Sequence, residues 1–253
     1  MQNKTSLFSY STASEASKVQ LRFLKYILGL KRNCTNIAVL GEVGELPLFI
    51  HGLSYLLKFW HRLTLMEDST LVKQAYKLQK EDNNSQFEWA ATIKFLLSKL
   101  GLSTFWNNPE TVSTLTFSKL CASKLKELCV TEWRNNLNYG SNSLIGQNKL
   151  RFYKQFKYTF SFEPYLHLIP NFQLRKVISK FRCSDHDLEI EKGRHKKLRI
   201  EDRICKTCKT AIESEEHFLR FCPDYGHLRE RYFPQTNSFL QWVEILKLSL
   251  IHI

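Results

Sequence analysis

The sequence predicts a mainly α-helical protein: a helical N-terminal region followed by a small zinc-stabilised module of the Cys3His type. Three observations carry this expectation. Glycine and proline are sparse, 9 and 6 in 253 residues, so helices run with few breaks. Apolar residues recur at helical spacing through most of the chain, and no segment supports a large sheet. Three cysteines and one histidine, Cys205, Cys208, His217 and Cys222, follow the spacing C-x2-C-x8-H-x4-C.

The elements follow in order. Thr12-x-x-Glu15 is a capping-box signature, after which Val19, Phe23, Leu24, Ile27 and Leu28 repeat helically, with Gly29 near the end. Residues 37–47 hold two glycines and end in Pro47, which predicts a short helix and a turn. Residues 48–66 form a strongly apolar helix. Two amphipathic helices are expected over 69–80 and 85–100, separated by Asp82-Asn83-Asn84, with Gly101 as the stop of the second. Pro109-Glu110 opens a helical stretch to about residue 138, with Leu115, Leu120, Leu125, Leu128 and Trp133 as core candidates.

Residues 139–148 (YGSNSLIGQN) are turn-rich and uncharged and mark the best boundary. The expected organisation is therefore a helical region over 1–140, a basic and aromatic connector over 149–170, a zinc-binding module over 171–234 and a terminal helix over 235–253. In the connector, Phe152, Phe156 and Phe160 recur at i, i+4, i+8, so an amphipathic helix with those rings turned inward is expected. A basic amphipathic helix is expected over 171–182, and a short helix near 224–232.

The net charge is +13, which points to a polyanionic partner, most often nucleic acid. Much of it is local. Residues 175–209 carry 12 Lys/Arg against 6 Asp/Glu, and residues 149–160 carry 4 Lys/Arg and no acid. The candidate nucleic-acid contacts are Lys149, Arg151, Lys154, Lys157, Arg175, Lys176, Lys180, Arg182, Lys192, Arg194, Lys196, Lys197, Arg199 and Arg203. Cations track the phosphates while aromatics stack on unpaired bases. RNA or single-stranded DNA, bound with low sequence specificity, is the expected partner.

Other classes recede. The first eleven residues have no basic patch followed by an apolar run, so no signal peptide is expected. The most apolar stretch, 46–66, carries His51, Lys58, His61 and Arg62, which argues against a membrane span. Seven unevenly spread cysteines read as a reduced, intracellular compartment, nuclear or cytoplasmic, rather than as a secreted disulfide framework. No phosphate-binding glycine loop or nucleophile elbow occurs, and no small-molecule substrate is implied. The alternating acids Asp185, Asp187, Glu189 and Glu191 match no nuclease pattern and are expected to form a solvated face paired with Lys192–Arg199.

The cysteine–histidine constellation is the sharpest feature. Zn2+ favours four soft or borderline ligands in a tetrahedron, and Cys3His is a common structural set. A Cys-x2-Cys knuckle lets two sulfurs reach one ion. The His217–Cys222 pair is expected at one end of a short helix starting near Glu213. Arg203, Lys206 and Lys209 are expected to help hold the thiolates. Four protein ligands leave no open position, so the role is structural. Cys183 and His186 form a Cys-x2-His pair, better read as a packed cysteine beside a surface histidine than as a second site. The remaining four cysteines are expected to be reduced and structural.

Several blocks resemble the C-terminal zinc-binding region of non-LTR (LINE-type) retrotransposon reverse transcriptases. They are FRCSDHDLEIEKGR (Phe181 to Arg194), RICKTC (Arg203 to Cys208), ESEEHFL (Glu213 to Leu219) and FCPDY (Phe221 to Tyr225), followed by Leu228-Arg229. Upstream, FLKYILGLK (Phe23 to Lys31) and AVLGEVGELP (Ala38 to Pro47) resemble the stretch that follows the polymerase thumb in such elements. The similarity is dense over 171–232 and thin between 65 and 148. It implies a retrotransposon-derived, nucleic-acid-binding segment. The Asp-Asp turn that holds catalytic magnesium in such polymerases is missing, since the chain has no Asp-Asp pair. About 20 residues follow Pro234, too few for a nuclease domain. The expectation is a non-enzymatic fragment. The alternative is a protein-interaction or self-associating module, because detached apolar helices at 48–66 and 85–100 would seek a partner.

Overall fold

A computed structural model describes residues 15–81, 88–138 and 149–233. Thr12 of the capping box, the 82–87 and 139–148 separators and the 235–253 helix lie outside the described residues. The fold is mainly helical, with no strand among the described residues. In chain order the helices are α1 (Glu15–Ile27), α2 (Asn36–Val43), α3 (Leu48–Thr64), α4 (Leu71–Glu81), α5 (Glu88–Lys99), α6 (Thr114–Asn138), α7 (Tyr165–Leu168), α8 (Phe172–Arg182), α9 (Glu189–His195) and α10 (Gly226–Tyr232).

The chain divides into two compact units, and the division differs from the expected one. The first holds Leu46–Glu132; the second joins Lys18–Glu45 to the chain from Trp133 onward. The physical reason lies in long-range, partly buried bonds. Lys31 N–H donates to Asp185 Oδ2 at 2.7 Å. Trp133 Nε1–H donates to the Ile37 carbonyl at 2.9 Å. Residues 18–45 complete the unit that carries the cysteine cluster, and the connector and module are not separate bodies.

The first unit is an apolar, aromatic core. α3 buries Ile50, Leu57, Trp60 and Leu63 against Ile93 and Leu97 of α5 and Phe117, Cys121, Leu125 and Cys129 of α6. Trp60 stacks on Trp106 at 5.9 Å between ring centroids, and its indole N–H donates to Tyr76 Oη at 2.9 Å. The buried stripe of α6 runs 117, 121, 125, 129, with an i, i+4 repeat that lies on one helical face. Leu115 is not in it and is exposed. Gly101 ends the α5 segment with φ +69°, and Leu102 N–H bonds back to the Leu97 carbonyl at 2.7 Å, as a C-terminal stop should.

The second unit adds buried charge to an apolar core of its own, in which Leu24, Leu40, Trp133, Tyr153 and Tyr165 are buried. α1 buries Leu21, Leu24 and Leu28, while Val19, Phe23 and Ile27 are exposed, so only part of the expected apolar stripe faces inward. In the connector the expected helix is absent: one turn of 3-10 helix covers Tyr153–Gln155. Phe152 and Phe156 are nonetheless buried and meet edge-on. At Gly44, φ is +66°, and a Cβ would lie 2.4 Å from the Phe162 backbone nitrogen. Only glycine fits that approach of α2's end to the 161–163 strap, where Glu163 N–H donates to the Glu42 carbonyl.

Candidate metal centre and its basic surroundings

The local chain makes the metal-binding geometry. Residues 203–213 fold back on themselves, with an isolated antiparallel bridge between Ile204 and Ile212. Cys205 N–H donates to the Ala211 carbonyl at 2.8 Å, and Glu213 N–H donates to the Arg203 carbonyl at 2.9 Å. The Cys205-x2-Cys208 knuckle closes through Lys209 N–H to the Cys205 carbonyl at 2.9 Å, with Lys209 left-handed at φ 60°. Ser214 then caps the following turn, its Oγ accepting His217 N–H at 3.0 Å.

The turn that carries the other two ligands is a π-helix, His217–Phe221. Cys222 N–H donates to the His217 carbonyl at 2.8 Å, an i to i+5 closure. In an α-helix, residues five apart point about 140° from each other. The wider turn stacks Cys222 over His217 and aims both side chains at the knuckle. The His-x4-Cys spacing is therefore matched by the backbone geometry that uses it.

The four ligand atoms lie within 4.8 Å of one another. Cys205 Sγ and Cys222 Sγ are 4.0 Å apart, and Cys208 Sγ and His217 Nε2 are 3.3 Å apart. A tetrahedral zinc ion with sulfur at about 2.3 Å and nitrogen at about 2.0 Å requires ligand separations of about 3.5–3.8 Å. The cluster brackets those values. It also sits far from the roughly 2.05 Å of a disulfide. Cys205, His217 and Cys222 are buried and Cys208 is half-buried, so the site is enclosed and suited to a metal ion held by protein alone.

The thiols are unlike one another. A hydrogen bond from the Thr210 hydroxyl to Cys208 Sγ, 3.1 Å long, together with its backbone N–H, lowers Cys208 to about 6. Enclosure, together with the neighbouring Cys208 and Cys205 sulfurs, raises Cys222 to about 11. All three must lose their protons to bind a metal, so affinity should rise with pH.

The centre is tied to the basic tract by Glu213. Its Oε1 faces the Cys205 thiol at 3.6 Å, and its Oε2 accepts Glu189 N–H, the first amide of α9, at 2.6 Å. Lys206 pairs with Glu189 at 2.6 Å. Arg203 is buried, donating to the Leu198 and Ile190 carbonyls while its stem packs on Gly193, where a Cβ would sit 2.4 Å from Arg203 Cγ. Arg203 and Lys206 thus clamp α9 and the loop after it, rather than lying against the sulfurs as expected. Lys209 is exposed.

Two buried charge networks absorb other candidate contacts. In one, Arg182 donates to both carboxylate oxygens of Glu42 and to Glu163, and Lys157 pairs with Glu163. The Tyr165 hydroxyl adds a bond to Glu42 at 2.8 Å. Burial would lower the Arg182 pKa, but Glu42 raises it well above the ordinary arginine value. In the other, Arg151 bridges Glu191 at 2.6 Å and Glu215 at 2.8 Å. Arg194 bonds Glu191 at 2.9 Å, and His186 bonds Glu215 at 3.1 Å. Burial would raise the Glu215 carboxyl, but the His186 hydrogen bond and the Arg151 charge hold it below the ordinary range.

These placements correct several expectations. Lys157, Arg182 and Arg203 are 2%, 1% and 4% exposed, so their charge is spent inside the fold and not offered to a polyanion. Arg151 and Arg194 are half-buried in ion pairs, and Lys149 approaches Asp185 at 3.8 Å. Asp185, Glu189 and Glu191 are buried and Asp187 alone is exposed, so the alternating acids are internal organisers and not a solvated face. Among the described residues their ion-pair partners are Lys31, Lys149, Arg151, Lys206 and Arg194, of which Arg194 alone belongs to 192–199. Cys183 is buried with its carbonyl near the Cys34 thiol, while His186 joins the Glu215 network, so that pair is not a second metal cluster.

The remaining candidates stay accessible. Lys154, Arg175, Lys176, Lys180 and Lys192 are half-buried, and Arg175 donates to the Ile169 and Pro170 carbonyls. Lys196, Lys197 and Arg199 are exposed on the loop after α9. Arg199 pairs with Asp202 at 3.3 Å; Lys196, Lys197 and Lys209 take no ion pair among the described residues. No single helix among the described residues is long and apolar enough to cross a membrane. The chain matches no protein-family profile, no curated protein and no solved structure.

Proposed function

We propose that the chain is a non-catalytic, zinc-stabilised nucleic-acid-binding fragment derived from a non-LTR retrotransposon polyprotein. The carrying observation is the coupling of the Cys3His cluster, through Glu213 and Lys206, to α9, the helix that leads into the loop of Lys196, Lys197 and Arg199. Zinc fits the donor set and fills its shell with four protein ligands, leaving no position for a reacting water. Its work is to fix the cations, which then meet phosphates and release counterions. The resemblance of 181–229 to retroelement tails supports the same reading, as does the absence of an Asp-Asp pair.

The test is binding of the full chain to a fluorescent single-stranded RNA across a salt series. Affinity should fall steeply with salt, by a slope near −0.7 for each phosphate neutralised. Replacing Lys196, Lys197 and Lys209 together should flatten that slope by about 2. Affinity that does not change with salt would count against the reading. For the origin, the genomic reading frame upstream of Met1 should encode an Asp-Asp-containing polymerase.

A second reading, a helical interaction module, is favoured by one observation. α3 exposes Leu48, Tyr55 and Phe59 on its outer face, and α4 exposes Leu71, Val72 and Leu78. Such apolar surface marks contact sites in other proteins. Concentration-dependent self-association in sedimentation would favour it, and a monomer at all concentrations would oppose it.

A further inference from the structure

The basic tracts after residue 149 are not the only cationic surface. α1 and the turn after it wall a groove of about 470 Å³, within the usual size range of ligand sites. Lys18, Arg22 and Lys25 lie on it at i, i+4 and i+7 of α1, and Arg32 lines it too, its carbonyl accepting Lys25 Nζ at 2.8 Å. No carboxylate lines it among the described residues. Arg22 and Arg32 are exposed and take no ion pair among the described residues. The floor is apolar, made by Leu21 and Leu30, both buried. Tyr26 is one helical turn beyond Arg22 and is 78% exposed.

We propose that this groove is a second nucleic-acid subsite, which seats one nucleotide of a single strand with its base stacked on Tyr26 and its phosphates against Arg22 and Arg32. A cationic groove with an exposed ring is the arrangement that binds unpaired strands, because every base has a face to stack and every nucleotide a phosphate. The apolar floor gives the base a dry surface, and the lack of acids removes like-charge repulsion of the backbone. An acidic peptide would use the cations but not the ring. The inference rests on the nucleic-acid reading above and extends it to residues 18–32, which none of the contacts expected from sequence include.

The experiment uses the full chain and a fluorescent oligouridylate, with poly-glutamate of equal charge as comparison. Tyr26→Ala should weaken oligouridylate binding about tenfold, and Tyr26→Phe should restore it. Arg22→Glu with Arg32→Glu should weaken it by at least about tenfold. All three residues are exposed, and unchanged melting of each variant checks the fold. Loss only in the Lys196, Lys197 and Lys209 variant overturns the groove and leaves the main reading standing. Loss only in the groove variants supports the groove and moves the binding surface away from the metal module. An unchanged Tyr26→Ala, equal affinity for poly-glutamate, or no binding by any form overturns the groove.

Discussion

Both units bury apolar side chains, but the second adds balanced sets of buried charge to them. In the first, every member of the main core cluster is apolar or aromatic apart from two buried cysteine thiols, and rings carry much of the packing. In the second, Arg182, Glu42, Glu163 and Lys157 form a buried set of two positive and two negative groups. Arg151 and Arg194 balance Glu191 and Glu215 in another, and four ligands converge on one point. A core of apolar contacts tolerates loss in steps, because each side chain adds its own burial. A balanced charge set does not, because one removed partner strands the others in a dry interior. The comparison also explains why so much positive charge fails to reach the surface: part of it builds the second unit.

The largest expected effect falls on the ligand cluster. Cys222→Ala should abolish tight metal binding and loosen residues 203–225, since structural zinc sites contribute about 10 kcal/mol or more of folding free energy. Limited proteolysis should cut that segment and spare α3 and α5. Next comes Arg182→Met, which leaves Glu42 and Glu163 uncompensated and should cost about 3–5 kcal/mol. The double change Arg182→Met with Glu42→Gln should cost less than the sum of the two singles, which a double-mutant cycle in urea reads directly. Leu57→Ala probes the other unit and should cost about 2–5 kcal/mol through the cavity it leaves. If it showed the same coupling to Glu42→Gln, the contrast between the units would fail.

A smaller effect separates them by pH. His61 is buried in the first unit, with Nε2–H donating to the Pro109 carbonyl at 2.8 Å and Nδ1 accepting from the Thr114 hydroxyl at 3.1 Å. Phe117 stacks on its ring at 4.3 Å. Burial lowers its pKa below the ordinary 6.5, so the fold favours the neutral ring. Its contribution is complete above pH about 6.5 and is lost as pH falls toward the lowered value. Melting of His61→Gln should lack that loss between pH 7.5 and 5. The smallest effect belongs to Lys197, whose φ of 57° is left-handed. Lys197→Gly should leave stability unchanged or raise it by about 1 kcal/mol, yet weaken RNA binding. Charge and strain then move in opposite directions, so the variant distinguishes a binding role from a structural one.

The parts legible in the sequence are those with local periodicity or fixed spacing. The helices at α3, α5 and α8 lie within a few residues of expectation, and Asn171 caps α8 through its side chain, bonded to Gln173 and Leu174 amides. The Cys3His set converges because its spacing encodes a knuckle and a π-turn. The α6 core face was obscured because two of its residues are cysteines, Cys121 and Cys129, while Leu115, a stronger apolar signal, points outward. The charged segments were the least legible. Lys157, Arg182 and Glu191 carry the same letters as surface residues, and only partners 6 to 140 residues away reveal them as interior. A similar limit hid the 18–32 groove, whose cations are spread at helical intervals and not in a run.

The most direct measurement combines metal content with hydrogen exchange of the full chain before and after chelation. One equivalent of zinc per chain should be found. Its removal should expose the amides of 203–225 and of α9, leaving those of α3 and α5 as protected as before. Metal-free protein with unchanged protection across 203–225 would contradict the metal-stabilised second unit, and with it the fixed basic surface proposed to bind nucleic acid.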